Sequence, residues 1–345
     1  MISSPNYTQE RAVAETLARR AADLLLHHRR AGFQTEHKTS ADDPVTVADR
    51  EASELIVAGL RSAFPADGVL SEELTDGPAR LTRERVWIID PIDGTKEYVD
   101  GTPDYCVSIG LAVGSEALLG VVLAPDQDEL FTGIVGQGIW KNGQSAGFST
   151  REPQRSVIAV SETEHARELH TYPLPNMKPS GSIALKMARI AAGEADATFT
   201  MSPRSEWDIA AGMALIKAAG GTTTRRNAQA ILLNQPDPNV GRGILAGRPD
   251  VLAWLTAELL RLEVPEQVHG VSASDDVWAL APAEAQAAVR AGARLHLRQA
   301  GGRLVAWALV RPGARPVLER LEGAEPHRAV LDRDIVRIYG PLTRA

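Results

Sequence analysis

The sequence predicts a two-lobed α/β body followed by a small α+β appendage. Three observations predict it. Segments with apolar residues at helical spacing alternate with short apolar runs bounded by Gly, Pro, Asn and Asp. Apolar residues make up 44% of the 345 and charged residues 23%, the balance of a folded chain rather than a disordered one. Beyond the last helical pattern, Pro265 and Gly270 bracket an expected linker, and strand-like runs follow it.

The elements follow in order. Val13, Leu17, Ala21, Leu24 and Leu25 recur at helical spacing within residues 8–30, where His27 and His28 read as a solvated helix end. Residues 33–48 are polar and contain Pro44, so an extended loop or hairpin is expected. A helix from about Asp49 to Ala63 stops at Phe64-Pro65. Gly68–Ser71 is a short extended piece ending in Glu72-Glu73, and Trp87–Ile89 is a strand running into the turn Asp90–Thr95. Residues 106–112 and 117–124 pair as antiparallel strands, and Phe131–Val135 with the Asn142-Gly143 turn continues the sheet to about residue 150. The second lobe alternates strands at 157–160, 196–199 and 243–246 with helices opened by Gly181-Ser182, Trp207 and Pro249. The body is therefore expected over 1–262, with lobes of about 1–150 and 151–262. The appendage covers 263–345, with a short helix at 282–289 and strands at 294–299, 303–310 and 316–321. Leu295 and Leu297 share one face of the first strand, while the second, with Leu304, Ala306 and Ala308, is apolar on both faces. That surface needs a cover, and a stabilising or dimerising appendage is expected.

Composition excludes several classes. A lone cysteine, Cys106, in an apolar run permits neither an intramolecular disulfide nor a cysteine-rich zinc site, and reads as an inert buried thiol. A net charge of −7 argues against a partner with a nucleic-acid backbone. No apolar stretch reaches bilayer length, and the N-terminus lacks a basic start followed by an apolar core, so no membrane partner and a cytoplasmic location are expected.

The chemistry gathers around Asp90-Pro91-Ile92-Asp93-Gly94-Thr95. A buried strand delivers two carboxylates three positions apart, and hard oxygen donors suit Mg²⁺. Gly94 lets backbone approach a bound group closely, and Thr95 opens a helix, where free N–H groups favour an anion. Taken singly, each acid has an ordinary explanation. Asp49 reads as a helix N-cap, Glu72 as an acidic turn, and Asp208 as a first-turn acid.

Taken together, DPVTVADR at 43–50, SEE at 71–73, WIIDPIDGTKEYV at 87–99, GSIALKMARIAAGEAD at 181–196 and SEWDIAAGMALIKAAGG at 205–221 resemble the inositol monophosphatase superfamily over about residues 8–262. The resemblance implies a layered αβαβα sugar-phosphatase fold of the inositol monophosphatase/fructose-1,6-bisphosphatase kind. It implies two or three Mg²⁺ ions on Glu72, Asp90, the carbonyl of Ile92, Asp93 and Asp208. Asp49 and Thr95 match the pair that orients and activates the attacking water, with Glu72 beside them. Gly94 and Thr95 match the phosphate-contacting backbone, and Lys38 falls near a basic position of the family's loop. Asp208 is also expected at the substrate, and Arg204 is a candidate for a second phosphate, or an exposed structural arginine. Ser71 stands where the inositol branch usually has Gly. The expected reaction is hydrolysis of a small phosphorylated metabolite by in-line attack of water, in a homodimer.

Thr95-Lys96-Glu97-Tyr98 and Glu206-Trp207-Asp208 look more like the branch that cleaves adenosine 3′(2′),5′-bisphosphate than the inositol branch. An inositol or other sugar phosphatase is the alternative. A binding or regulatory relative without turnover is a third reading, against which the complete acidic set argues.

Overall fold

The computed structural model describes residues 6–32, 35–37, 44–264, 266–271, 275–300, 303–312, 316–325, 327–339 and 342–344. They form two compact units, one ending at residue 256 and one beginning at 257, so the division falls within the helix over 249–261.

The first lobe of the first unit contains α1 (Thr8–Ala31), β1 (Thr35–His37), β2 (Pro44–Thr46), α2 (Val47–Ala63), β3 (Gly68–Ser71), β4 (Arg85–Asp93), α3 (Thr95–Asp100), β5 (Cys106–Val113), β6 (Glu116–Ala124), β7 (Glu129–Ile134), β8 (Gly138–Lys141) and β9 (Gln144–Ala146). Strands β3 to β9 form one sheet in sequence order. Its first pair, β3 and β4, is parallel and the rest are antiparallel. The expected loop at 33–48 contains the β1–β2 hairpin.

The second lobe contains β10 (Ile158–Ser161), α4 (Glu162–Arg167), β11 (Met177–Ser180), α5 (Ile183–Ala191), β12 (Ala197–Thr200), β13 (Arg204–Ser205), α6 (Glu206–Ala218), β14 (Thr222–Arg225), β15 (Asn239–Gly241), β16 (Ile244–Gly247) and α7 (Pro249–Arg261). A second sheet runs in the order β11-β10-β12-β16-β14.

Alternation along β4 explains the layers. Trp87 and Ile89 face one way and pack with Leu17, Ala21, Ile56 and Leu60 of α1 and α2. Val86 and Ile88 face the other way and pack with Ala210 and Ala214 of α6. Helices α5 and α6 then share a core with Ala159, Ile244 and Ala246 of the second sheet. Helix α4 lies against β10 and β11 on that sheet. The result is the αβαβα layering. The central interface is close: a Cβ on Gly110 would lie 2.8 Å from the Ala211 nitrogen, and one on Gly120 would lie 2.3 Å from the Ala211 carbonyl oxygen. Only glycine lets the α6 backbone rest on β5 and β6 in this way. No helix among the described residues is long and apolar enough to cross a membrane.

The second unit contains β17 (Glu266–Val271), α8 (Ala283–Arg290), β18 (Arg294–Ala300), β19 (Arg303–Arg311), β20 (Val317–Gly323), α9 (His327–Tyr339) and β21 (Thr343–Arg344), with the strands in sequence order in one sheet. Glu266–Val271 is a paired strand rather than the expected linker, and Pro265 lies outside the described residues. The two apolar faces of β19 each have a cover. Trp307 and Leu309 join Leu295, Leu297 and Ala285 of α8, while Ala306, Ala308 and Val310 join Leu331 and Ile335 of α9.

Candidate active site

Strand β4 continues through Asp93, past the Ile89 end expected from the turn residues. In a regular strand Asp90 and Asp93, three apart, would point to opposite faces. The ladder to β5 breaks register between them. Asp90 pairs with Ser108 and Asp93 with Cys106, two residues apart on β5 and therefore on one face. The bulge turns both carboxylates to the same side. Glu72 arrives from the neighbouring strand: Ser71 pairs with Ile89, and Glu72 N–H donates to the Ile89 carbonyl at 3.2 Å. The Ser71 hydroxyl, where glycine was the family expectation, bonds Ser53 of α2 at 2.8 Å.

Two further acids come from helix starts. Asp49 is not the N-cap of α2 but its third residue. Thr46 is the cap, and its N–H and hydroxyl both donate to Asp49 Oδ2 at 2.7 Å. Asp208 occupies the same position in α6, accepting the Ser205 N–H at 2.7 Å. These are reciprocal capping arrangements. In α2, Asp49 Oδ1 in turn accepts from Thr95 Oγ1 at 3.3 Å. Thr95 Oγ1 also lies 3.1 Å from the Ile92 carbonyl. Gly94 caps α3 with φ +96°, and a Cβ there would lie 3.1 Å from the Asp104 carbonyl oxygen.

One carboxylate oxygen from each of Asp90, Asp93 and Asp208 lies within 4.8 Å of the others. Asp90 is fully enclosed. Burial first, then repulsion from Glu72, Asp93 and Asp208 and a hydrogen bond with Glu72, push its pKa well above the carboxylate range. Like charges packed this closely on hard oxygen donors fit a divalent cation such as Mg²⁺. Cys106 is buried beside them. Burial, then Asp93, raises its pKa, so the thiol is no nucleophile.

Several supporting residues escaped the sequence reading. Ser182 caps α5, and its hydroxyl and the Ala184 N–H both donate to Asp93 Oδ2, at 2.5 and 2.6 Å. Gly181-Ser182 was legible as a helix start, but its acceptor was not. Lys186, in the same turn, is 2% exposed. Among the described residues its ammonium bonds the main-chain carbonyls of Ser180 and Gly181. Burial and then Arg204 lower its pKa to about 8. Arg204 has a buried Nε without a hydrogen-bond partner.

Two residues that suggested a substrate branch do structural work. Lys96 pairs with Asp100 on the surface of α3, and Glu206 accepts the N–H groups of Asn234 and Gln235 at 2.6 and 2.7 Å. Lys38 lies outside the described residues.

A model of the inositol monophosphatase family matches residues 6–264. The chain is 33% identical over 228 residues to an inositol monophosphatase of Mesembryanthemum crystallinum, covering 61% of this chain and 83% of that protein. It is 36% identical over 227 residues to inositol monophosphatase 2 of Rattus norvegicus, covering 61% and 77%. Among solved structures it is similar to the extragenic suppressor protein SuhB of Bartonella henselae, with a TM-score of 0.63 and 28% identity, covering 73% of this chain and 98% of that one.

Proposed function

Because the chain belongs to the inositol monophosphatase family, whose members are Mg²⁺-dependent phosphatases of small phosphorylated substrates, we propose that it removes the 3′(2′)-phosphate of adenosine 3′(2′),5′-bisphosphate. The observation that carries the choice of substrate is the pair Lys186 and Arg204. Neither cation forms an ion pair with a carboxylate among the described residues, and Arg204 lies near enough to lower the Lys186 pKa. Two neighbouring cations that are not ion-paired favour an anion, although Asp93, Glu164 and Glu97 already act on Lys186 from further off. Lys186 adjoins the turn that holds Asp93, which supports a substrate with a second negative group.

Glu72, Asp90, Asp93, Asp208 and the Ile92 carbonyl would hold the metal. Bound Mg²⁺ supplies Lewis acidity that lowers the pKa of water and offsets charge on the phosphoryl oxygens. The residues do the rest. Thr95 has one hydroxyl proton, which it donates to Asp49 or to the Ile92 carbonyl. Its lone pairs are then left to accept from a water, turning that water's own lone pair toward phosphorus. Asp49, fixed by Thr46, keeps the Thr95 hydroxyl in this sense. Gly94 leaves room for the phosphate beside the backbone. A homodimer is part of the same reading, measurable as mass in solution.

Inositol 1-phosphate is the second reading, favoured by the names of the relatives. Phosphate release with Mg²⁺ decides. We expect a higher kcat/KM for adenosine 3′,5′-bisphosphate than for inositol 1-phosphate. The reverse ranking assigns the protein to the inositol branch.

A further inference from the structure

Asp93 depends on a turn that a different acid holds in place. Asp93 Oδ2 takes its two hydrogen bonds from Ser182 and Ala184. Ser182 in turn accepts the Leu185 N–H at 3.0 Å, so its hydroxyl is fixed by the start of α5. On its other side the turn is pinned to Asp104. The Asp104 carbonyl accepts the Ser182 N–H at 3.1 Å. Its Oδ2 accepts from the Ser180 hydroxyl at 2.8 Å. Its Oδ1 accepts from Arg189 Nη1 at 3.1 Å and Gln127 Nε2 at 3.3 Å. Arg189 is anchored by Glu129 at 2.9 Å. Burial opposes ionisation of Asp104, but the bonds from Ser180, Arg189 and Gln127 outweigh it, and its pKa lies below the ordinary value.

The same carbonyl limits both turns. A Cβ on Gly181 would lie 2.5 Å from it, and one on Gly94 3.1 Å. Asp104 is thus where the Asp90–Thr95 segment and the Ser180–Ala184 turn are brought into register. Among the described residues it makes no hydrogen bond or ion pair with the acid cluster or with the water-positioning pair.

We infer that Asp104 is a positioning residue for the metal ligand Asp93, acting through Ser180 and Ser182 to aim the Asp93 carboxylate. The inference rests on the metal-dependent phosphatase reading. Removing a direct partner of a metal ligand weakens binding by about 10- to 100-fold, and Asp104 stands one group further out, behind Ser182.

The test uses the full-length protein and its Asp104→Asn, Asp104→Ala and Ser180→Ala variants. Mn²⁺ affinity is measured by calorimetry without substrate, with the Mg²⁺ concentration for half-maximal turnover and the melting temperature alongside. Asp104→Ala is expected to weaken Mn²⁺ binding and raise the half-activating Mg²⁺ by up to about tenfold, below the loss for a direct partner of a ligand. KM at saturating Mg²⁺ should move much less. Asp104→Asn keeps an acceptor for Ser180 and should lose less. Ser180→Ala should weaken binding in the same direction, and add little to Asp104→Ala in the double variant, since both cut one path. If Asp104→Ala does not fold, Asp104→Asn and Ser180→Ala carry the test alone. Lower melting temperatures with Mn²⁺ affinity within twofold of wild type would overturn the inference and leave the phosphatase reading intact. Wild-type protein that binds no Mn²⁺ would overturn both.

Discussion

Asp90 and Asp93 ride a buried strand, whereas Asp49 and Asp208 stand at the third position of helices. The strand acids owe their common direction to a bulge and are crowded by one another. Burial and like charge raise Asp90, and relief comes only from a proton or a cation. The helix acids each have an ordinary task as well, closing the N-terminus they start from. The difference separates two kinds of cost. Of the strand acids, Asp90 is strained in the metal-free protein, while Asp93 is held by the start of α5. The helix acids stabilise their helices, so their removal damages fold and function together.

The largest effect expected from breaking this comparison is at Asp93. Asp93→Asn keeps an acceptor for Ser182 and Ala184 but removes the charge. Turnover should fall on the order of a hundred- to a thousand-fold. The metal-free protein should melt within a few degrees of wild type, because relief of the repulsion on Asp90 is offset by weaker hydrogen bonds from Ser182 and Ala184. At Asp208 the two costs can be separated. Asp208→Asn and Asp208→Ala should lose similar turnover, but only the alanine variant loses the bond to Ser205, at about 1 kcal/mol. Equal melting temperatures for the two would show that the cap contributes nothing.

A smaller effect is expected at Thr95. Thr95→Ala removes the hydroxyl proposed to orient water but no charge. In steady-state kinetics kcat should fall by about ten- to a hundred-fold, with KM nearly constant, since orientation counts mainly in the transition state. A raised KM with unchanged kcat would reassign Thr95 to substrate holding.

The smallest effect sharpens the strand side of the contrast. Asp90's pKa is raised in the folded state, so the metal-free fold holds a proton that the unfolded chain releases at lower pH. Stability is therefore lost as pH rises from the ordinary carboxylate range through the raised value. Mg²⁺ takes the proton's place, so its stabilisation should grow with pH. At a hundred times its dissociation constant the ion adds about 2.7 kcal/mol. Melting scans with and without Mg²⁺ from pH 5.5 to 8 should diverge by a few degrees. A constant gap would mean that Asp90 is already ionised without metal.

The legible part of this site was its inventory. Asp90, Asp93, Gly94 and Thr95 stand in a short motif whose residue types already name hard-cation chemistry. The bulge was not legible, because its evidence is the partner strand: nothing in residues 90–93 says that Asp93 pairs with Cys106. Asp49 read as a cap because Thr46 and Asp49 are both good capping residues, and only geometry decides which one starts the helix. Lys186 was hidden in an apolar helix where a single lysine looks like a surface residue. In the second unit, Gly270 made β17 look like a linker. Helix α9 went unread because its charged residues, among them Arg328, Asp332 and Arg333, blur its apolar stripe. The two-sided apolar character of β19 did announce that covers were needed, and α8 and α9 supply them.

The glycine contacts under α6 have a mechanical consequence. Where most helices ride on side chains, the Ala211 backbone rests directly on Gly110 and Gly120. That contact is a bearing with no play, three residues from Asp208. A single methyl added at either glycine acts as a shim. It would lift the loaded end of α6 off the sheet and carry Asp208 away from Asp90 and Asp93. The dimensional tolerance of the metal site is therefore set beneath the helix, by two residues that carry no charge.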